Sequence, residues 1–82
     1  MPKYIDKHAM GKLTPEQLKH LQTAPKDEFG VTHHDIFFNA KEDWIYCVLN
    51  APDRDAVERH HQHAGIKCEW VREVESTRPA VP

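Results

Sequence analysis

Residues 44–49 constrain the fold of this chain more than any other stretch. They read Trp-Ile-Tyr-Cys-Val-Leu, six apolar residues in succession, four of which are aromatic or β-branched. Such a run predicts a β-strand. Because both of its faces are apolar, we expect the strand to lie inside a sheet and not at its edge. A chain of 82 residues has room for one layer of helices packed on one such sheet.

Local patterns on either side of this run predict three further strands and two helices. The other strands are expected at residues 3–9, 31–38 and 66–74. The first helix begins at Thr14-Pro15, which combines an N-cap residue with proline at the first helical position. The second helix begins after Asp53, a good N-cap, and ends at Gly65, a good C-terminal cap. The predicted order is therefore β-α-β-β-α-β.

This order predicts an α+β fold of the ferredoxin-like class, a βαββαβ sandwich with one four-stranded antiparallel sheet and two helices on one face. Right-handed crossovers place the first and third strands in the middle of the sheet. The other face is left bare, and it would carry the aromatic residues Phe37, Trp44, Tyr46 and Trp70. We therefore expect a homodimer that covers this face. Residues 1–75 are predicted to form the single domain, and residues 76–82 a mobile tail.

Charge and hydropathy exclude several classes of partner. The net charge is -2, with 29% charged residues of both signs, which argues against nucleic acid or an anionic membrane as a partner. No apolar run approaches the roughly 18 residues of a membrane span, and the first residues lack the apolar core of a signal peptide. A cytoplasmic location is expected, where the two cysteines would stay reduced.

The predicted topology brings together residues that can bind a metal. The first strand ends, the second helix ends and the fourth strand begins at one edge of the sheet. His8, the helix-end histidines and Cys68 should therefore converge there, with Asp6 on the same strand face as His8. Imidazole, thiolate and carboxylate donors suit Ni²⁺, Zn²⁺, Cu²⁺ or Co²⁺ better than Mg²⁺ or Ca²⁺.

Three histidines fall at the end of the second helix, at positions 60, 61 and 63. His61 shares the inner stripe of that helix with Val57 and Ala64, so it is the expected inward ligand. His63 points elsewhere on the helix but remains a candidate ligand, together with Cys68.

Simpler interpretations apply to several of these residues. Asp6 can equally accept ordinary hydrogen bonds from a lysine or a loop amide. Cys47 lies within an apolar strand and is expected to be a small buried hydrophobic residue. Four histidines are expected to be solvated surface residues without a role, namely His20, His33, His34 and His60.

Several short segments resemble, in the same order, a family of small bacterial and archaeal proteins known as a domain of unknown function. The matching segments are residues 6–8, 13–18, 46–52, 56–57, 61–65 and 73–74. The best-described relative of that family is a nickel-binding protein with a ferredoxin-like fold. The resemblance implies a dimer with metal ligands at Asp6, His8 and His61. Relatives can carry a further polar or histidine residue where this chain has Ile66. In this chain His63 or Cys68 would have to supply that ligand instead.

Two functional hypotheses follow. The first is a small metal-binding protein that sequesters or buffers a divalent transition metal, with Ni²⁺ favoured and Zn²⁺ or Co²⁺ as alternatives. The second is a dimeric α+β barrel enzyme or small-molecule-binding protein, with a cavity between two sheets and a His8/Asp6 pair as its base. The chain lacks a recognisable nucleophile, cofactor motif or arginine cluster, so the first hypothesis is favoured over an enzyme. A metal-free interaction module is the third alternative.

Overall fold

The computed structural model describes residues 2–77, which form four strands and two helices in the predicted order. The strands are β1 (Lys3–His8), β2 (Thr32–Asn39), β3 (Trp44–Asn50) and β4 (Trp70–Val74), and the helices are α1 (Pro15–Gln22) and α2 (Arg54–Ala64). No helix in this part of the chain is both long enough and apolar enough to cross a membrane.

The four strands form one antiparallel sheet in the order β2-β3-β1-β4. The first and third strands therefore lie in the middle, and the predicted ferredoxin-like fold is confirmed. The register between β1 and β3 places Asp6 directly opposite Cys47 and His8 opposite Ile45. One irregularity between His33 and Asp35 shifts the pairing of β2 with β3.

Both helices begin at their predicted N-cap residues, and α2 also ends at its predicted C-terminal cap. Thr14 and Gln17 form a reciprocal capping box at the start of α1. The Asp53 side chain accepts a hydrogen bond from the Ala56 amide at the start of α2. Gly65 closes α2 in the left-handed region, with φ of 70°, where a side chain would strain the backbone.

Strand β3 shows how the two faces of the sheet differ. Ile45, Cys47 and Leu49 are buried toward the helices, and the residues that alternate with them face away. The core between the layers also includes Tyr4, Leu18, Val31, Ala51, Val57 and Val71. Both helices thus cover one face of the sheet, and the aromatic residues of the other face are left partly exposed.

One strand boundary differs from the sequence prediction. Strand β4 begins at Trp70 and not at residue 66, because residues 66–69 carry the chain from the end of α2 to the edge of the sheet. Helix α1 ends at Gln22, with Thr23 as its C-cap. Of the tail predicted to be mobile, residues 78–82 lie outside the described part of the chain.

Candidate metal centre

Asp6 lies in the middle of β1 and points into the layer beneath the helices. It is completely buried, and neither of its carboxylate oxygens has a hydrogen-bond partner among the described residues. His61 Nε2 approaches Asp6 Oδ2 to 3.0 Å, but the alignment falls short of a hydrogen bond. Burying a carboxylate without compensating partners is costly. The contacts that compensate Asp6 are thus limited to His61 Nε2 and a weak interaction with the Cys47 thiol, so a cation or a stronger donor would stabilise the carboxylate.

His8 places its Nε2 beside both Asp6 and Cys47. Its Nδ1 lies 3.0 Å from the Ala9 carbonyl oxygen, and because a carbonyl only accepts, Nδ1 donates. In the neutral ring Nε2 then carries the lone pair, which accepts a hydrogen bond from the Cys47 thiol at 3.7 Å, and Nε2 lies 3.8 Å from Asp6 Oδ1. Histidines that ligate metals are commonly held in this way, with the second nitrogen bonded to a backbone carbonyl.

His61 approaches Asp6 from the helix layer. The inner stripe of α2 buries it together with Ala56 and Val57, whereas Ala64, which was predicted to share this stripe, is exposed at the end of the helix. Its ring packs against that of His8, with centroids 5.9 Å apart. His61 Nδ1 is buried without a hydrogen-bond partner in residues 2–77. Strand and helix thus bring two imidazoles to one carboxylate.

Two cysteines complete the arrangement. Among the described residues, two groups of three side chains have their ligand atoms within 4.8 Å of one another, and both groups include Asp6. One adds His8 and Cys47, and the other adds His61 and Cys68. We refer to these five residues as the Asp6 cluster. The sulfur of Cys68 is held in the segment before β4, where its S–H donates to the Trp70 carbonyl at 3.1 Å.

Both thiols are protonated at neutral pH in the metal-free protein. Burial raises the pKa of Cys47 far above its ordinary value, and the Asp6 charge adds to this effect. Burial and Asp6 also raise the pKa of Cys68. Because a thiolate is the ligand form, binding of a metal through sulfur would release a proton.

Three other histidines lie outside the Asp6 cluster, one of them exposed and two partly buried. His63 lies on the exposed side of α2, with its Nδ1 3.8 Å from Glu28, and is not brought to Asp6. His60 is partly buried, and its Nδ1 lies 2.6 Å from Asp27 Oδ2. His33 packs against His60, and burial, reinforced by His60, lowers its pKa to about 4.

Sequence reasoning missed the positions of Cys47, His33 and His60. The alternation of β3 does place Cys47 on the same face as Ile45 and Leu49. Its position opposite Asp6, however, depends on the register between β1 and β3, which no local pattern encodes. The contact of His60 with Asp27 joins residues that lie 33 positions apart.

The chemistry of the Asp6 cluster fits a borderline divalent ion. It offers imidazole nitrogens, one carboxylate and sulfur, a mixture that suits Ni²⁺, Zn²⁺ or Co²⁺ and not the all-oxygen shells of Mg²⁺ or Ca²⁺. The unpartnered Asp6 carboxylate supplies the negative charge such an ion needs. Fold and site together define a small ferredoxin-like protein with a buried cluster able to hold a metal.

Comparison with known proteins agrees with this class. The chain belongs to the family described as nickel responsive protein SCO4226-like, which matches residues 4–74. The structure is similar to the crystal structure of SCO4226 from Streptomyces coelicolor A3(2), with a TM-score of 0.72 and 26% sequence identity. The similarity covers 93% of this chain and 99% of that one. A comparison with curated proteins finds none that matches.

The open face of the sheet does not contain the His8/Asp6 pair. A shallow cavity of about 440 Å³ lies on that face, lined by Ile5, Phe37 and Val48 among others. Asp6 and His8 are buried on the opposite face, beneath the helices. The enzyme hypothesis required this pair to serve a cavity between two open sheet faces, and the observed geometry does not provide that arrangement.

Proposed function

We propose that this protein binds a divalent transition metal in the Asp6 cluster and thereby sequesters or buffers it, with Ni²⁺ as the favoured ion and Zn²⁺ or Co²⁺ as alternatives. Asp6, His8 and His61 are the proposed core ligands, and Cys68 and Cys47 are the proposed sulfur donors. His63 is left out, because its side chain is 73% exposed and lies beside Glu28. We place this function in the cytoplasm, where free cysteines persist.

One observation carries this proposal. A completely buried carboxylate has no hydrogen-bond partner in residues 2–77, yet it lies within reach of two imidazoles. A bound cation would compensate this charge, and His8 Nε2, 3.8 Å from Asp6 Oδ1, would become free to coordinate it once the Cys47 thiol loses its proton. The family description, which names nickel, supports Ni²⁺ as the first ion to test.

Titration of the chelator-treated protein with Ni²⁺, Zn²⁺ and Co²⁺ at pH 7.5 tests the proposal. We expect saturable binding of one ion per chain with a dissociation constant below about 1 μM, which corresponds to about 8 kcal/mol. Sulfur ligation should give an ultraviolet charge-transfer band with Ni²⁺ or Co²⁺. Cys47→Ser and Cys68→Ser then show which sulfur contributes. Absence of saturable binding with all three ions would refute the function.

We further propose that the open face of the sheet is covered by a second copy of this chain. Tyr46 lies at the centre of this face, between Trp44 at 4.7 Å and Trp70 at 6.0 Å between ring centroids. Phe37 extends the aromatic surface with 53% of its area exposed. A two-fold pairing would bury these rings against each other, as expected of a homodimer interface.

Tyr46→Glu tests the dimer, because it places a charge in the centre of the aromatic surface. We expect the wild-type protein to sediment as a dimer at tens of micromolar and Tyr46→Glu to sediment as a monomer. Phe38→Glu is the matched control, since Phe38 pairs with Ile45 and so lies on the other face of the sheet, with 40% of its area exposed. A monomeric wild type, or a dimer that Phe38→Glu disrupts equally, would contradict this interface.

A further inference from the structure

Two more histidines connect the Asp6 cluster to the protein surface. His33 on β2 packs against His60 on α2, with ring centroids 5.4 Å apart. His60 in turn contacts His61 at 5.5 Å, and His61 contacts His8 at 5.9 Å. Four imidazoles therefore form a continuous row that ends at the buried Asp6 carboxylate.

This row lies along a small internal cavity. The cavity has a volume of about 40 Å³ and is lined by all four histidines, Cys47 and a ring of leucine and isoleucine side chains. A cavity of about 10–15 Å³ already holds one water molecule, so an ion that has lost most of its hydration shell would fit. Side-chain exposure falls inward, from 17% at His60 to 7% at His61, 4% at His8 and zero at Asp6.

Asp27 holds the outer end of the row in place. Its Oδ1 accepts hydrogen bonds from the Phe29 and Val31 amides, both at 2.9 Å, and its Oδ2 lies 2.6 Å from His60 Nδ1. Burial alone would raise the pKa of Asp27, but these hydrogen bonds lower it overall, so the group is ionised at neutral pH. Because an ionised carboxylate only accepts, Nδ1 donates and the neutral His60 ring keeps its lone pair on Nε2.

We propose that His33 and His60 form an outer binding station that receives a divalent transition metal and passes it inward to the Asp6 cluster. This inference rests on the proposed function. In residues 2–77 no group of three metal-ligating atoms includes either residue, so the station offers two imidazoles alone. The Asp6 cluster adds a negative carboxylate and sulfur, so transfer inward is favourable. Asp27 is a positioning residue, which acts through His60.

The rate of Co²⁺ uptake by the full chain, followed by stopped-flow absorption, tests the station. His33→Gln and His60→Gln should slow association by about tenfold or more, while the equilibrium affinity changes by less than about threefold, because loss of a station on the path slows entry and exit alike. Asp27→Asn should also slow association, because the amide nitrogen that replaces Oδ2 is a donor and cannot accept from His60 Nδ1. His63→Gln is the matched control on the exposed side of α2 and should leave the rate unchanged.

Unchanged association rates in both His33→Gln and His60→Gln would overturn the station. A tenfold loss of equilibrium affinity in His60→Gln at an unchanged association rate would also overturn it, because His60 would then be a ligand of the final site. Circular dichroism and melting of each variant establish that the fold is retained before rates are compared.

A second measurement separates the station from the Asp6 cluster. In Asp6→Asn, whose inner site is disabled, Co²⁺ should broaden the imidazole NMR signals of His33 and His60 before those of exposed His20. Tight binding by the wild type without such broadening would overturn the station alone. Broadening in a protein whose wild type shows no saturable inner site would overturn the proposed function and the inward transfer together, leaving the outer pair as the metal site.

Discussion

Asp6→Asn is expected to make the metal-free protein more stable and to abolish its stabilisation by metal. Neither oxygen of the buried carboxylate has a hydrogen-bond partner in the described chain, so removing its charge removes an uncompensated cost of about 1–3 kcal/mol. For a domain of this size, that gain should raise the melting temperature by about 4–8 °C for each kcal/mol.

The same substitution should have the opposite effect once metal is present. At a free metal concentration of 1,000 times the dissociation constant, the wild type should gain about 4.1 kcal/mol, or roughly 16–33 °C in melting temperature, which exceeds the gain expected of Asp6→Asn. Asp6→Asn should gain almost nothing, because the charged ligand is lost. Asp6→Asn should therefore have the higher melting temperature without Ni²⁺, and the wild type should have the higher melting temperature with it.

Asp55→Asn is the control for loss of a carboxylate as such. Asp55 lies on the exposed surface of α2 in an ion pair with Arg59, and its loss should change stability by less than about 0.5 kcal/mol. A metal-free Asp6→Asn protein that is less stable than the wild type would contradict the argument. It would show that Asp6 and His61 form a net favourable ion pair instead of a site poised for a cation.

His8→Gln and His61→Gln are each expected to lower metal affinity by more than tenfold, or at least about 1.4 kcal/mol. Each removes one imidazole from beside Asp6, and glutamine preserves a similar volume. For His8 the loss of affinity should come from the loss of Nε2 as a ligand, because Nδ1–H is bonded to the Ala9 carbonyl and only orients the ring. Isothermal titration with Ni²⁺ measures both affinities.

His20→Gln is the matched control, because His20 is exposed on α1. It belongs neither to the Asp6 cluster nor to the outer station of His33 and His60. Its affinity should equal that of the wild type. Equal affinities across all three histidine variants would place the metal elsewhere and would refute the Asp6 cluster as the site.

Much of the fold follows from local chemistry in the sequence. The Thr14 and Asp53 caps mark where helices begin, and Gly65 marks where α2 ends, because each residue satisfies a demand of the backbone within a few positions. The period of two along β1 places Asp6 and His8 on one face, and the period of 3.6 along α2 turns His61 inward. These elements meet beneath the helices as the predicted topology requires.

What the sequence does not reveal depends on pairing between distant segments. Cys47 acquires its place because β1 and β3 pair with Asp6 opposite it, and a shift of one residue would turn it to the other face. His60 looks like a surface residue on the helical pattern. It is partly buried because the loop after α1, fixed by hydrogen bonds to Asp27, folds back against α2. Such long-range contacts leave no local signal.

The position of the cluster between the layers has a consequence for the lifetime of the protein. Asp6 and His61 lie 55 positions apart in the sequence, and one belongs to the sheet while the other belongs to a helix. An ion shared by both would act as a reversible cross-link that closes most of the chain into a loop. Proteases that attack opened molecules would then degrade the protein quickly when metal is scarce and slowly when it is abundant. The amount of this protein in a cell would thereby follow its metal supply without any change in synthesis.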